Sequence, residues 1–316
     1  MRALITGATG FIGQRLLQQI DEPVVLSRNP ERARRQIAGA EAHAWDPMSG
    51  PPPAEAILGV EAVFHLAGEP VAEGRWTADK KRRIMDSRRV GTANLVKGLE
   101  QLSERPAVLV SASAVGYYGD RGEETLDERA APAGDFLAQV CLEWEQAAQQ
   151  AASLGIRVVN PRIGIVLGRG GGALAKMLLP FKLGLGGRLA SGNQWMPWIH
   201  LDDLTGLFLH AASHSELSGP LNAVAPNPVT NREFTRTLAA ALHRPAFLPA
   251  PGLLLKLAIG EFAEVLLASQ RVVPHVAEQT GYHYRYPELG GALRAILEQP
   301  PTAPVERPQP EPAGSR

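Results

Sequence analysis

The chain has 316 residues, 45% hydrophobic and 20% charged, with 32 basic side chains against 32 acidic ones. Zero formal charge gives no global field toward nucleic acid or an anionic membrane, and the basic run Lys80–Arg83 is too short to change that. The single cysteine, Cys141, excludes an internal disulfide and fits a reducing compartment. No signal-peptide pattern opens the chain, and no apolar run reaches the ~18–20 residues of a membrane helix. A soluble, cytoplasmic protein without a membrane or nucleic-acid partner is expected; the oligomeric state is open.

In chain order, RALIT, PVVLS, AVFHLA, AVLVSAS and IRVVNPR read as short β-branched strands bounded by Gly or Pro. Between them, FIGQRLLQQI, TADKKRRIMDSRRVGTANLVKGLEQL and GDFLAQVCLEWEQAAQQAASLG carry helical periodicity, the last closed by Gly155. This alternation predicts an α/β fold, a Rossmann-type doubly wound parallel sheet with a smaller C-terminal substrate lobe. The sheet is assigned to residues 1–160, completed by later residues, and the lobe with its C-terminal unit to 161–299. The lobe holds the Gly-rich GRGGGALAK and KLGLGGRLASG around a short helix. PVTNREFTRTLAAAL follows, with Thr230 or Asn231 as helix cap. Residues 300–316, rich in Pro and charge, are expected to be disordered and dispensable.

Gly7, Gly10 and Gly13 lie between the first strand and the first helix, around Phe11 and Ile12. A strand-to-helix turn needs positive φ there, and a pyrophosphate needs close backbone approach to the helix start. The second strand ends in Ser27 and Arg28, where NAD-preferring sites carry an acid. A guanidinium there grips a 2′-phosphate, so NADP(H) is expected. After the fourth strand, Leu66, Ala67 and Gly68 let a cofactor lie against backbone. Asp46 suits either an adenine contact or a turn cap.

TGATGFIG, HLAG, VLVSASAVGYYG, VVNPRIGIVLG and PWIHLDDL together resemble the extended, epimerase-like branch of the short-chain dehydrogenase/reductase superfamily. RWTADKKRRIMDSRRVGT, GDFLAQVCLEWEQAA, GRGGGALAKMLLPFKLGLGG and SQRVVPHVAEQTGYHYRYPEL are similar to its nucleoside-diphosphate-sugar epimerase-related group, of the SDR39U1/YfcH type. The likeness spans residues 1 to about 299. It implies an NADP(H)-binding fold and leaves the substrate open: a small molecule, such as a nucleotide sugar or another carbonyl or carbinol compound. It also implies a contact for Arg88 on the nicotinamide or phosphate side.

Superfamily chemistry needs a tyrosine, a lysine four residues on, and a serine. Ser113 is the expected serine, with Ser111 second. The five tyrosines are Tyr117, Tyr118, Tyr282, Tyr284 and Tyr286, followed four residues on by Arg121, Gly122, Tyr286, Glu288 and Gly290. The pair is absent. Phe136 or Leu137 takes the tyrosine slot, and Val140 or Cys141 the lysine slot. Tyr117 or Tyr118 is the displaced acid if the protein is an enzyme; otherwise it is a non-catalytic NADP(H) sensor or scaffold. Trp195, Trp198, His200 and Asp203 suit either a substrate mouth or lobe packing. His210 and His214 lack a third ligand, so no metal is expected.

Overall fold

The computed structural model describes residues 1–36 and 40–298; the expected tail lies outside the described residues. The first half runs β1 (Arg2–Thr6), α1 (Phe11–Leu17), β2 (Glu22–Ser27), α2 (Pro30–Gln36), β3 (Glu41–Ala44), α3 (Ala54–Ile57), β4 (Ala62–His65), α4 (Ala78–Glu100), β5 (Val108–Ser111), β6 (Ser113–Ala114), β7 (Thr125–Leu126), α5 (Phe136–Gln149) and β8 (Arg157–Ile163). The second half adds β9 (Ile165–Leu167), α6 (Gly172–Lys182), β10 (Trp195–Met196), β11 (Trp198–His200), α7 (Leu201–Ser213), β12 (Gly219–Ala223), β13 (Val229–Thr230), α8 (Asn231–Ala241), α9 (Gly252–Ile259), α10 (Phe262–Leu267), β14 (Arg271–Val272), α11 (His275–Gln279) and α12 (Leu289–Glu298).

The main sheet has the order β12-β8-β5-β4-β1-β2-β3, with every neighbouring pair parallel. This is the doubly wound sheet expected from the alternating pattern. Its central strands β1, β2, β4 and β5 are buried on both faces, so they read as continuous apolar runs. Ile5 and Phe64 face α1 and α7, where Phe208 meets Phe64 edge-on at 6.3 Å. Leu4 and Val63 face the other way, against Leu95 and Leu99 of α4. The chain leaves β1 on one side for β2 and on the other for β4. That reversal opens a crevice at the strands' C-terminal ends, where such sheets bind ligands.

Thr77 caps α4 by accepting from Lys80 N at 3.2 Å, and Thr230 caps α8 by accepting from Glu233 N at the same distance. Asn231 is the first residue of α8 rather than its cap, and its Oδ1 accepts from Leu189 N at 2.8 Å. The C-terminal lobe has its own core, in which Trp198, Phe234, Leu238 and Leu293 are buried together. No described helix is long and apolar enough to cross a membrane.

Candidate functional site

The crevice is built first from the glycine turn after β1. Gly7 takes φ +70°, and a Cβ there would lie 2.8 Å from the Leu66 carbonyl carbon. A Cβ at Gly13 would sit 2.4 Å from Gly7 O. Gly7 thus supplies positive φ, and Gly13 lets helix and turn touch. The first-turn N–H groups at Phe11, Ile12 and Gly13 have no preceding turn to bind, and Gly10 offers no side-chain cap. Phe11 lies under the loop GRGGG: a Cβ at Gly171 would be 2.4 Å from its ring. Ile12 packs against the core.

Thr6 ties this turn to the end of β4. Its Oγ1 accepts from Leu66 N and Ala67 N, each at 3.1 Å, and bonds His65 Nδ1 at 2.7 Å. His65 Nε2 reaches Thr92 Oγ1 at 2.9 Å. Burial, with Arg88 adding to it, pushes the imidazole pKa down to about 4. The unfolded chain therefore protonates His65 near pH 6.5 while the fold refuses the proton. Stability from this site should fall as pH drops from about 6.5 to about 4, by up to about 1.4 kcal/mol per pH unit. Urea melts of the parent minus those of His65→Gln isolate this slope from Glu128 and Asp203, whose burial-raised pKa values act oppositely. A flat difference across that range would mean that the folded protein takes the proton after all.

At the end of β2, Ser27 Oγ accepts from Asn29 N at 3.1 Å, and Arg28 is exposed with no ion pair among the described residues. Asp46 spends its carboxylate on Met48 N at 3.1 Å and Ser49 Oγ at 2.9 Å. Its observed task is to cap a turn.

Arg88 reaches from α4 to Gly68, where a Cβ would lie 3.1 Å from the guanidinium carbon. Its guanidinium stacks on Trp144 at 4.8 Å, and Nη1 donates to Glu69 O at 3.1 Å and Ile84 O at 3.2 Å. Nε and Nη2 donate to no protein acceptor among the described residues. Lys80 is buried by its 2.8 Å ion pair with Glu69, so the run KKRR is partly structural.

Ser113 sits in β6 beside Arg162 of β8. Its hydroxyl donates to Glu145 Oε1 at 2.7 Å. Glu145, from α5, takes a two-pronged bond from Arg162: Nε to Oε1 and Nη2 to Oε2, both 2.9 Å. Arg162 Nη1 donates to Tyr118 Oη at 3.0 Å, and Tyr118 donates to Asn222 Oδ1 at 2.7 Å. The Tyr117 ring stacks on the Arg162 guanidinium at 3.4 Å. Neither Glu145 nor Arg162 was singled out from sequence. The available signal was an arginine inside the buried strand RVVNPRI, which demands a partner.

The geometry separates the two tyrosines. Tyr118 is 0% exposed, its hydroxyl is committed on both sides, and burial lifts its pKa to about 12 against the pull of Arg162. That speaks against its candidacy as proton donor: the phenol is buried, and its hydroxyl is bonded on both sides. Tyr117 is partly exposed, and its hydroxyl bonds nothing in the described chain. Ser111, the second-choice serine, is fully buried with an unpartnered Oγ.

In the vacant slots, Leu137 packs on Gly116, and Phe136 meets the Trp76 ring at 5.4 Å. Val140 is buried, as is Cys141, whose thiol burial pushes up to about 11. Cys141 neighbours both Arg88 and Ser113.

Of the lobe candidates, Trp198 is buried with Nε1 on Asn227 O at 3.2 Å. His200 caps α7 and stacks on Tyr286 at 3.9 Å, and burial pushes its pKa down to about 4. Asp203 accepts from Arg285 N at 2.7 Å and Tyr286 N at 2.9 Å. These three hold the C-terminal unit down. Trp195 lies nearer the surface, bonded to Glu123 at 2.7 Å. His210 bonds Thr280, and no group of three metal-ligating side chains occurs among the described residues.

Residues 3–223 match the NAD dependent epimerase/dehydratase family, and residues 250–296 match a domain of unknown function, DUF1731. The chain is 40% identical over 312 residues to the chloroplastic SDR39U1 homolog of Arabidopsis thaliana, covering 94% of this chain and 87% of that one. The crystal structure of the human epimerase family protein SDR39U1 with NADPH superposes with a TM-score of 0.84 at 38% identity, over 94% of this chain and 99% of that one. A UDP-glucuronic acid 4-epimerase from Bacillus cereus, solved with UDP-glucuronic acid and NAD, reaches 0.75 at 14% identity over 94% and 98%, a likeness of fold alone. The glycine turn at the switch point, the HLAG loop and these matches agree: the chain belongs to the NAD dependent epimerase/dehydratase family, among the epimerase family proteins of the SDR39U1 kind.

Proposed function

We propose that the protein is an NADP(H)-dependent oxidoreductase or epimerase acting at a carbonyl or carbinol carbon, with a nucleotide sugar the first substrate class to test. The carrying observation is the glycine turn, closed to any side chain at Gly7 and Gly13, with the exposed Arg28 at the end of β2. Gly7, Gly10 and Gly13, with Phe11 and Ile12, would hold the pyrophosphate; Leu66, Ala67 and Gly68 would lie along the cofactor. Ser27 and Arg28 would hold the 2′-phosphate. Bound there, NADP(H) gives or takes a hydride.

The remaining work falls to this chain's own side chains. Ser113 is oriented by Glu145: with its proton on the carboxylate, its lone pairs are free to accept from a substrate hydroxyl. Arg162 holds Glu145 in place through its two-pronged bond. Tyr117 offers the unbonded phenol. Arg88 brings a cation from α4 to the neighbourhood of Cys141, where the superfamily's lysine would be.

NADPH should bind at least about tenfold more tightly than NADH, and Arg28→Asp should remove or reverse that preference, since charge-assisted bonds contribute about 1.5–3 kcal/mol. Equal affinity in the parent protein would refute the assignment. Activity is tested by following NADPH absorbance across carbonyl compounds and nucleotide sugars, with Ser113→Ala as control. The missing pair, with Phe136 or Leu137 in one slot and Val140 or Cys141 in the other, favours a second reading, a non-catalytic NADP(H) sensor. That reading stands if NADPH binds yet no compound is turned over in a Ser113-dependent way.

A further inference from the structure

The apolar side chains left in water are concentrated on one part of the lobe. Leu183 and Leu185 follow α6, Phe247 lies between α8 and α9, and Leu253, Leu254 and Leu257 belong to α9; each is between 58% and 72% exposed. The two stretches run side by side: Ala190 N donates to Ala250 O and Ala250 N to Arg188 O, both at 2.9 Å. They form one face. None of the α9 residues is buried, although its sequence GLLLKLAI is apolar on all sides. So short a helix is marginal on its own propensity, and packing among the described residues does not explain its leucines.

Within the two stretches the charges have one sign, and the exposed Glu261 and Glu264 belong to the adjoining α10. Residues 176–190 and 243–260 contain Lys176, Lys182, Arg188, Arg244 and Lys256, and no Asp or Glu. Lys256 pairs with Glu264 at 3.2 Å, and Glu261 of the adjoining α10 is taken by Lys81. Lys182, Arg188 and Arg244 have no carboxylate partner among the described residues. The zero net charge of the chain thus averages over a cationic lobe face.

We propose that this face lies on an anionic lipid bilayer surface, with the leucines of α9 and Phe247 entering the headgroup–acyl boundary and the cations meeting lipid phosphates. Lying on a bilayer differs from crossing one and needs no long helix. A second copy of the chain is disfavoured as occupant, because a two-fold contact sets the unpaired cations against their own equivalents. The face also adjoins the candidate site: the Phe262 ring of α10 lies tilted 5.8 Å from Trp76, and Trp76 meets Phe136 edge-on at 5.4 Å.

The test is co-sedimentation of the full chain with vesicles of phosphatidylcholine alone or containing about one-third phosphatidylglycerol. Binding is expected only to the anionic vesicles, falling about tenfold or more between low and high salt. Leu253→Glu with Leu257→Glu should abolish it while leaving the melting temperature and NADPH titration unchanged; Lys256→Glu should weaken it. No sedimentation with anionic vesicles at low salt, or equal binding by the double variant, would overturn the proposal. So would a parent dimer that the double variant dissociates without any vesicle effect, which would assign the face to self-association.

Discussion

Arg162→Met is expected to lower the unfolding free energy by about 3–5 kcal/mol, the cost of stranding a buried partner charge. Arg162 is 4% exposed and Glu145 13% by side chain, so water replaces little of what the substitution removes. The guanidinium serves four acceptors at once: both Glu145 oxygens, Tyr118 Oη and the Glu128 carbonyl. Without it, Glu145 must hold a charge against Ser113 alone, and Tyr117 loses the cation under its ring. Adding Glu145→Leu to Arg162→Met should recover part of the loss, because an uncharged pair is cheaper to bury than half an ion pair. Urea denaturation of the parent, both single variants and the double closes the cycle. Purely additive losses would show that the two residues do not act as a pair. NADPH affinity should change little, since the network lies on the far side of Ser113 from the glycine turn.

The second large effect separates two adjacent residues. Tyr117→Phe should cut turnover by about a hundredfold or more, the usual size of a lost general acid, and leave stability near that of the parent. Tyr118→Phe should do the reverse. It leaves Asn222 Oδ1 and Arg162 Nη1 short of a buried partner, costing about 1–3 kcal/mol, with turnover of the folded protein retained. Melting curves measure one half of the contrast at once; the other half uses whichever compound the NADPH screen turns over. If Tyr117→Phe remains fully active, the proton comes from elsewhere, and the unbonded phenol is only a packing group.

The fold was legible in the sequence because its signals are local. RALIT followed by three glycines at spacing three specifies a strand, a positive-φ turn and a helix within a dozen residues. The absence of a Tyr-x-x-x-Lys pair is also a matter of inspection, as is the basic end of β2. The network around Ser113 was not legible. Its members come from β6, the turn after it, α5 and β8, and only sheet register places Ser113 opposite Arg162. Tyr117 and Tyr118 are equivalent in sequence; a single 3-10 turn, Val115–Tyr118, sends one into the core and leaves the other partly open. Trp198, His200 and Asp203, in a segment that suited either a substrate mouth or lobe packing, pack against or bond the C-terminal unit. In the apolar segment PGLLLKLAIG none of the helical residues is buried. The sequence by itself determined the dinucleotide-type fold, the glycine turn and the missing catalytic pair, because short-range backbone sterics and periodicity decide those. The tertiary structure alone decided which tyrosine is free, which carboxylate orients Ser113 and which leucines face water, because burial and charge pairing depend on neighbours distant in the chain.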